Sequence, residues 1–377
     1  MSEQPQDQSV QPAPQPWAWA APVPQPRLVE TPPLEYHQLL RGALRYRWWK
    51  PLLALLLGVI YYFTLSTVFG LAVILPYLAL SGVSMVDPES MTDSLMALAL
   101  PDTQNPASML MTLGSVALMI PAAYLAMLSV GLSPARRLWS VALRIRWRWI
   151  ARTALPAIVA LLVMNGLGIA LQLAFSGGAD SGLGGEPPHI DPTPALWSAL
   201  LVVLLVPLQS TAEEVVYRGM FMQTLGAWLG GARGGSGFAR FLSGPWLPIA
   251  VPAIAFGFSH IYDVWGWIAV VVMALVAGWL TWRTGGLEAA ISLHVVNNVV
   301  AFGFMIVGFG GETAQSESTG GPGSAIGSAI GLLLYAWWVD RDFRRNDGMR
   351  TRIDLIEVPG TIQPPVPAPP AAGPVPA

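Results

Sequence analysis

The sequence has 377 residues, of which 53% are hydrophobic and only 11% are charged, and its mean hydropathy is +0.52. A soluble domain carries roughly 25% charged residues, so this composition excludes an ordinary water-soluble protein. The 20 basic and 22 acidic residues nearly balance, which argues against a nucleic-acid partner. There is no cysteine, and this excludes disulfides, thiol nucleophiles and thiolate metal sites.

Apolar runs long enough to cross about 30 Å of hydrocarbon recur along the chain. They predict an all-α fold, a polytopic membrane helix bundle of about eight transmembrane helices. The predicted spans are 52–80, 107–132, 153–175, 196–222, 246–262, 264–282, 287–309 and 325–339. The fourth span is expected to continue as a helix to about Leu229, and Pro248 and Pro252 are expected to kink the fifth.

Charge alternates between successive connections, which predicts the orientation of the bundle. Every Lys and Arg lies beside alternate ends of the spans, while the intervening connections carry only acids such as Asp93, Asp102 and Asp191. Basic connections face the cytoplasm, so both termini are predicted to be cytoplasmic. The segment 136–152 and, more weakly, 41–50 are expected to lie as basic interfacial helices on membrane lipids.

Composition also predicts the organisation of the chain. Residues 1–33 are expected to be a disordered Pro-rich cytoplasmic tail, because such a segment buries too little apolar surface to offset its ordering entropy. Residues 34–194 are predicted to hold membrane helices 1–3 and the interfacial helix. Residues 195–340 are predicted to form the functional core, and residues 341–377 a cytoplasmic basic segment followed by a second Pro-rich tail.

Ionisable residues within the predicted spans mark the functional half of the chain, because each costs about 2.5 to 3.5 kcal/mol on insertion scales. Glu214 and Arg218 stand four residues apart and are expected to pair on one helix face, whereas Glu213 faces elsewhere. His294 and Asn298 share the same spacing, and so do Phe256 and His260. A carboxylate, two imidazoles and an amide from three helices are therefore expected to converge on one polar pocket.

This set of groups suits hydrolysis. A desolvated carboxylate can take a proton from water with the help of an imidazole, while a second imidazole and an amide donate hydrogen bonds to an oxyanion. A zinc version would use Glu213, His260 and His294 as ligands, although no short-spaced ligand pair such as HExxH supports it. The cofactor thus stays open between none and a divalent metal such as zinc.

Three ordered motifs carry a family resemblance: EEVVYR from Glu213 to Arg218 followed by Gly219, FGFSH ending at His260, and HVVNN from His294 to Asn298. Together they resemble the CPBP family of intramembrane peptidases, which includes CAAX prenyl protease 2 and bacteriocin-processing members and is often described as metalloproteases. The resemblance covers roughly residues 195–305.

The resemblance implies roles for these residues. Glu213 with His260 would activate the attacking water, His294 and Asn298 would form the oxyanion site, and Glu214 and Arg218 would complete the motif. The implied function is an intramembrane endopeptidase of a membrane-associated or lipidated peptide or protein, reached from the bilayer or the cytoplasmic face. The resemblance does not carry over a substrate or settle the metal.

Two other functions remain open. A proton-coupled transporter could relay protons through Glu213, His260 and His294, although no second copy of the polar motifs indicates the internal repeat usual in transporters. A non-catalytic membrane scaffold or immunity protein could retain the motifs.

Arg outnumbers Lys 19 to 1, which indicates a GC-rich bacterial genome and hence a bacterial plasma membrane. At 1.5 Å per residue, His260 is expected roughly 21 Å along the fifth span, nearer the outer face than Glu213 or His294.

Overall fold

A computed structural model describes residues 26–82, 87–176, 188–231, 236–317, 321–346, 348–358 and 360. Within these residues the chain is mostly helical. Seven helices are long and apolar enough to cross a membrane, and an eighth span arises if one bent helix pair is counted as a single crossing. The predicted all-α membrane bundle is therefore confirmed, while the cytoplasmic placement of both termini stays a prediction. Most of the two predicted tails lies outside the described residues.

The first half of the bundle contains three spans. Its helices are α1 (Lys50–Leu80), α2 (Pro88–Ala99), α3 (Pro106–Ala117), α4 (Met119–Ser129) and α5 (Trp147–Phe175). The helices α3 and α4 follow one another almost without a break and together form one apolar span, Pro106–Ser129. The short helix α2 is amphipathic and is capped at its start by the Asp87 carboxylate, as expected for a helix outside the hydrocarbon.

The second half begins with α6 (Pro192–Glu214), which continues through a π-helical segment, Val215–Phe221, into α7 (Met222–Leu229). These form one apolar span from Pro192 to Leu229, so the predicted continuation to Leu229 is confirmed. A π-helical segment within an α-helix is rare and is often found at functional sites. Here it begins directly after the two adjacent glutamates.

The fifth predicted span is broken at a different place than expected. The structure has α8 (Gly237–Ser243) and α9 (Trp246–Phe258), with a bend of 50° between them. Pro248 and Pro252 lie in α9, whereas the 50° bend falls before Trp246, so the break in this span does not lie at the prolines. At 1.5 Å per residue, the 13 residues of α9 extend only about 20 Å, too short to cross the hydrocarbon alone.

Three further helices complete the bundle: α10 (Val264–Thr284), α11 (Glu288–Ile306) and α12 (Pro322–Arg345). The helix α12 packs closely along α5. An added Cβ at Gly327 would lie 2.5 Å from the Cα atom of Gly168, and one at Gly331 would lie 2.6 Å from the carbonyl oxygen of Ala160. Glycines four residues apart on α12 thus permit backbone contact, a recurrent way to pack helices in membranes.

Segments before α1, before α5 and after α12 form a folded unit at one end of the bundle. We call this unit the basic-end cap and define it as residues 26–49, 135–146 and 348–358. Its four short strands are β1 (Arg27–Glu30), β2 (Leu34–Glu35), β3 (Thr351–Arg352) and β4 (Leu355–Val358). The antiparallel pairs are β1 with β4 and β2 with β3. Both ends of the described chain are therefore tied together.

The basic-end cap corrects two predictions. The predicted disordered tail, residues 1–33, extended too far inward, because β1 and the residues up to Pro33 are folded against the rest of the chain. In the predicted basic segment after residue 340, α12 continues to Arg345 and is followed by β3 and β4. Residues 136–152 do not form an interfacial helix: a 3₁₀ turn at Ala135–Leu138 is followed by irregular chain until α5 begins. The reason is that Arg137 is buried and paired with Asp354 at 2.6 Å, so it does not face lipid headgroups.

Candidate active site

The predicted catalytic residues come from three helices that pack together. Glu213 and Glu214 end α6, His260 follows α9 by two residues, and His294 and Asn298 lie on α11. The π-helical segment carries Arg218 and Gly219 along the inner side of this cluster. An added Cβ at Gly219 would lie 3.3 Å from the carbonyl oxygen of Leu138. Glycine thus allows this segment to contact the backbone of the basic-end cap.

The deepest part of the site is a buried ion pair. The Arg218 guanidinium donates to Glu214 at 3.0 Å, and the two residues are 1% and 0% exposed. The same guanidinium lies 4.6 Å from the centre of the Phe256 ring, a cation–π distance. The expected pairing of Glu214 with Arg218 is confirmed, and the aromatic ring adds to it.

His294 bridges the two adjacent glutamates. Its Nδ1 lies 2.8 Å from a Glu214 carboxylate oxygen, and its Nε2 lies 3.2 Å from a Glu213 carboxylate oxygen. Ionised carboxylates only accept hydrogen bonds, so the ring can donate to both glutamates at once only as an imidazolium with a proton on each nitrogen. The expectation that Glu213 faces away from Glu214 is therefore incomplete, because one imidazole between the side chains reaches both.

His260 lies on the other side of Phe256. Its Nδ1 is 2.8 Å from the carbonyl oxygen of Phe256, and the two rings are 4.6 Å apart in an edge-to-face arrangement. Phe256 and His260 are thus adjacent, as expected. With Nδ1 donating to the carbonyl, Nε2 is the nitrogen that can accept a proton. His260 and Glu213 line the same cavity, of about 270 Å³.

Gln209 joins the site although the sequence reasoning did not single it out. Its amide nitrogen donates to a Glu213 carboxylate oxygen at 2.7 Å, and its amide oxygen accepts from Asn298 at 3.0 Å. Asn298 also donates to the Ser210 hydroxyl at 3.3 Å. The available signal was spacing, because Gln209 precedes Glu213 by four residues and must share its helix face.

Gln209→Leu is expected to lower the rate of peptide hydrolysis by about 10- to 100-fold, which is the value of a hydrogen bond of about 1.5 to 3 kcal/mol to a charged group. The substitution leaves Glu213 without a neutral donor and removes the nearer of the two acceptors of Asn298. Gln38→Leu is the matched control. Gln38 lies in the basic-end cap, and its side-chain amide donates to the carbonyl oxygen of Ser243 in α8. Equal rates for the two variants would show that Gln209 does not position the site.

The predicted zinc ligands do not fit a zinc site in this arrangement. Both ring nitrogens of His294 face carboxylates, and Nδ1 of His260 faces a carbonyl oxygen. Across the residues that the structure describes, no three His, Cys, Asp or Glu side chains are grouped so as to hold a metal ion.

Comparison with known proteins finds a family match for the region that contains this site. Residues 192–300 match the family model "Type II CAAX prenyl endopeptidase Rce1-like". The chain is also similar to "Uncharacterized protein YyaK" of Bacillus subtilis (strain 168), with 25% identity over 111 residues. That alignment covers 28% of this chain and 33% of the relative, so the chain spans about a third of that relative's length. No solved structure matches the chain.

The matched region contains all three motifs and the whole hydrogen-bonded cluster around His294. It runs from the start of α6 into α11 and so includes the broken span. The apolar spans and this match together support an integral membrane protein. Residues 192–300, which include the site, are similar to the Rce1-like type II CAAX prenyl endopeptidases, and this similarity supports membership of the CPBP family of intramembrane peptidases.

Proposed function

We propose that the protein is an intramembrane endopeptidase of a bacterial plasma membrane that cleaves membrane-associated or lipidated substrates with water activated by Glu213 and His260. The observation that carries the proposal is the position of Glu213. Its carboxylate lines a cavity and is held from two sides, by Gln209 at 2.7 Å and by His294 at 3.2 Å. A base fixed in this way needs little reorganisation when it reacts.

In the proposed reaction Glu213 or His260 takes a proton from water as the oxygen attacks the peptide carbonyl carbon. The electron pair of the carbonyl moves to its oxygen, and this oxyanion receives hydrogen bonds from His294 and Asn298. Both donors are engaged in the resting state, so they would exchange a partner for the oxyanion. The proton then passes to the departing amine as the carbon–nitrogen bond breaks.

A second cavity supports an apolar or lipid-bearing substrate. It has a volume of about 230 Å³ and lies between α1, α4 and the π-helical segment, with Gly58, Tyr62, Ala122 and Tyr217 among its lining residues. The Tyr217 ring packs edge-to-face against Phe256 at 5.0 Å. An apolar chain bound in this cavity would therefore be separated from the site by the Tyr217 and Phe256 rings.

The transporter alternative is less well supported. A proton path must reach both sides of the membrane, whereas Glu214, Arg218 and His294 are almost completely buried. A scaffold protein would have the same site geometry but would not hydrolyse a substrate. Only an activity measurement separates a scaffold from a peptidase.

The experiment is a peptidase assay with protein purified in detergent, using quenched fluorescent peptides with and without a lipid anchor. We expect hydrolysis that persists after treatment with a metal chelator. Metal analysis of the same preparation is the control for incomplete chelation. Loss of activity in chelator that zinc restores would contradict the metal-free mechanism, and no hydrolysis of any peptide would favour the scaffold.

A further inference from the structure

We propose that substrate reaches the site from the extracytoplasmic end of the bundle, opposite the basic-end cap, so that the substrate is a peptide segment presented on the outer side of the membrane. The identity of the substrate as a peptide rests on the proposed function; the route rests on geometry. This route differs from the entry expected from the sequence, through the bilayer or the cytoplasmic face.

The cavity that contains Glu213 and His260 extends toward the end of the bundle formed by the α2–α3, α9–α10 and α11–α12 connections. Along α11 it is lined from Asn297 to Met305, a distance of about 12 Å at 1.5 Å per residue. Its outer lining residues include Pro101, Tyr262 and Gln315, one from each of the three connections.

Hydrogen bonds join these three connections at this end of the cavity, which we take as its mouth. The backbone nitrogen of Gln315 donates to the carbonyl oxygen of Pro101 at 2.9 Å, and its side-chain amide donates to the Tyr262 hydroxyl at 3.1 Å. The Thr103 nitrogen donates to the Thr313 carbonyl oxygen at 2.9 Å. The opening is therefore held by specific contacts between distant parts of the chain.

The opposite end of the site is closed. Tyr36 and Leu138 of the basic-end cap are buried together with Val215 and Leu287, and all four belong to one apolar cluster. The Tyr36 hydroxyl donates to the carbonyl oxygen of Leu138. In the described part of the chain, a cluster of buried apolar side chains thus lies between the Glu214–Arg218 ion pair and the basic end of the bundle.

The distribution of charge identifies which end is outside. The described residues of four connections lie at the open end. The sequences of these connections, residues 81–105, 176–191, 259–263 and 307–321, contain no Lys or Arg. The basic residues of the connecting segments lie at the closed end. Cytoplasmic loops of membrane proteins carry the excess of Lys and Arg, so the open end faces away from the cytoplasm.

The absence of native cysteine allows a direct test with single-cysteine variants. Thr112→Cys places a thiol in the cavity wall on α3, and Arg136→Cys places one on the exposed surface of the basic-end cap. Met109→Cys on the same helix as Thr112 is the matched control, because Met109 is fully buried. The probe is 2-(trimethylammonium)ethyl methanethiosulfonate, which does not cross membranes.

We expect Thr112→Cys to lose its free thiol in intact cells and Arg136→Cys to lose it only in inside-out membrane vesicles. Met109→Cys should stay unmodified in both. Modification of Thr112→Cys only in inside-out vesicles, or from neither side, would overturn the proposed route. Modification of Arg136→Cys in intact cells would reverse the orientation and overturn the outer location of the substrate.

Because labelling needs no catalysis, this result is independent of whether the protein proves to be a peptidase. If hydrolysis is established, a bulky polyethylene glycol maleimide attached to Gln315→Cys should abolish it by covering the mouth. The same reagent attached to Arg136→Cys should leave hydrolysis unchanged. Full activity of the modified Gln315→Cys variant would contradict entry through this mouth.

Discussion

Glu213→Gln is expected to lower the rate of peptide hydrolysis by about 10² to 10⁴, the usual cost of losing a general base, while the fold stays intact. The amide has the same shape, and its oxygen can still accept from Gln209 and His294. The Glu213 side chain is 13% exposed, and His294 keeps Glu214 as an anionic partner at 2.8 Å when Glu213 is neutral. The measurements are the turnover rate in the peptidase assay and the melting temperature in detergent.

Glu30→Gln is the matched control for Glu213→Gln, because Glu30 is an exposed residue of β1 in the basic-end cap. It should keep both the turnover rate and the melting temperature of the parent protein. Retained hydrolysis in Glu213→Gln would remove the proposed base from the mechanism. A large fall in its melting temperature would instead show that Glu213 mainly stabilises the fold.

Glu214→Gln is expected to destabilise the protein as well as inactivate it. Glu214 is the buried partner of both Arg218 and His294, so the substitution removes the counter-charge of a guanidinium that is 1% exposed. Breaking a buried pair in this way typically costs about 3 to 5 kcal/mol of folding free energy. Hydrolysis should fall too, because His294 loses the carboxylate that fixes its ring beside Glu213.

A double-mutant cycle separates the ion pair from other effects of the substitution. Adding Arg218→Gln to Glu214→Gln should recover part of the lost stability, since the unpaired buried charge is then gone. The free energy of unfolding in detergent is measured for both single variants and the double variant. Strictly additive losses would show that Glu214 and Arg218 do not stabilise one another. Equal losses for Glu213→Gln and Glu214→Gln would contradict their different roles.

The architecture was largely predictable because membrane insertion depends on local composition. Each span must satisfy its backbone hydrogen bonds internally and present apolar side chains to lipid, so hydropathy along the chain locates it. The continuation of α6 to Leu229 followed from the lack of breaking residues. The broken fifth span was harder, because the bend before Trp246 lies outside the helix that contains both prolines.

Contacts within one helix of the candidate site were predictable from the sequence, whereas contacts between helices were not. Helical spacing correctly pairs Glu214 with Arg218 and brings Phe256 beside His260. Spacing within one helix says nothing about which residue of another helix fills the space between two side chains. The bridge that His294 makes between Glu213 and Glu214 depends on how α11 packs against α6.

The sequence by itself therefore determined the spans, the sorting of charge between the two ends and the identity of the polar residues, because each of these is a property of short segments. Only the tertiary structure decided that Gln209 holds Glu213, that segments from both ends of the described chain build the basic-end cap, and that the cavity of the site extends away from this cap. The physical reason is that these features arise from contacts between residues far apart in the chain. Arg137 and Asp354, 217 positions apart yet 2.6 Å from each other, illustrate such a contact.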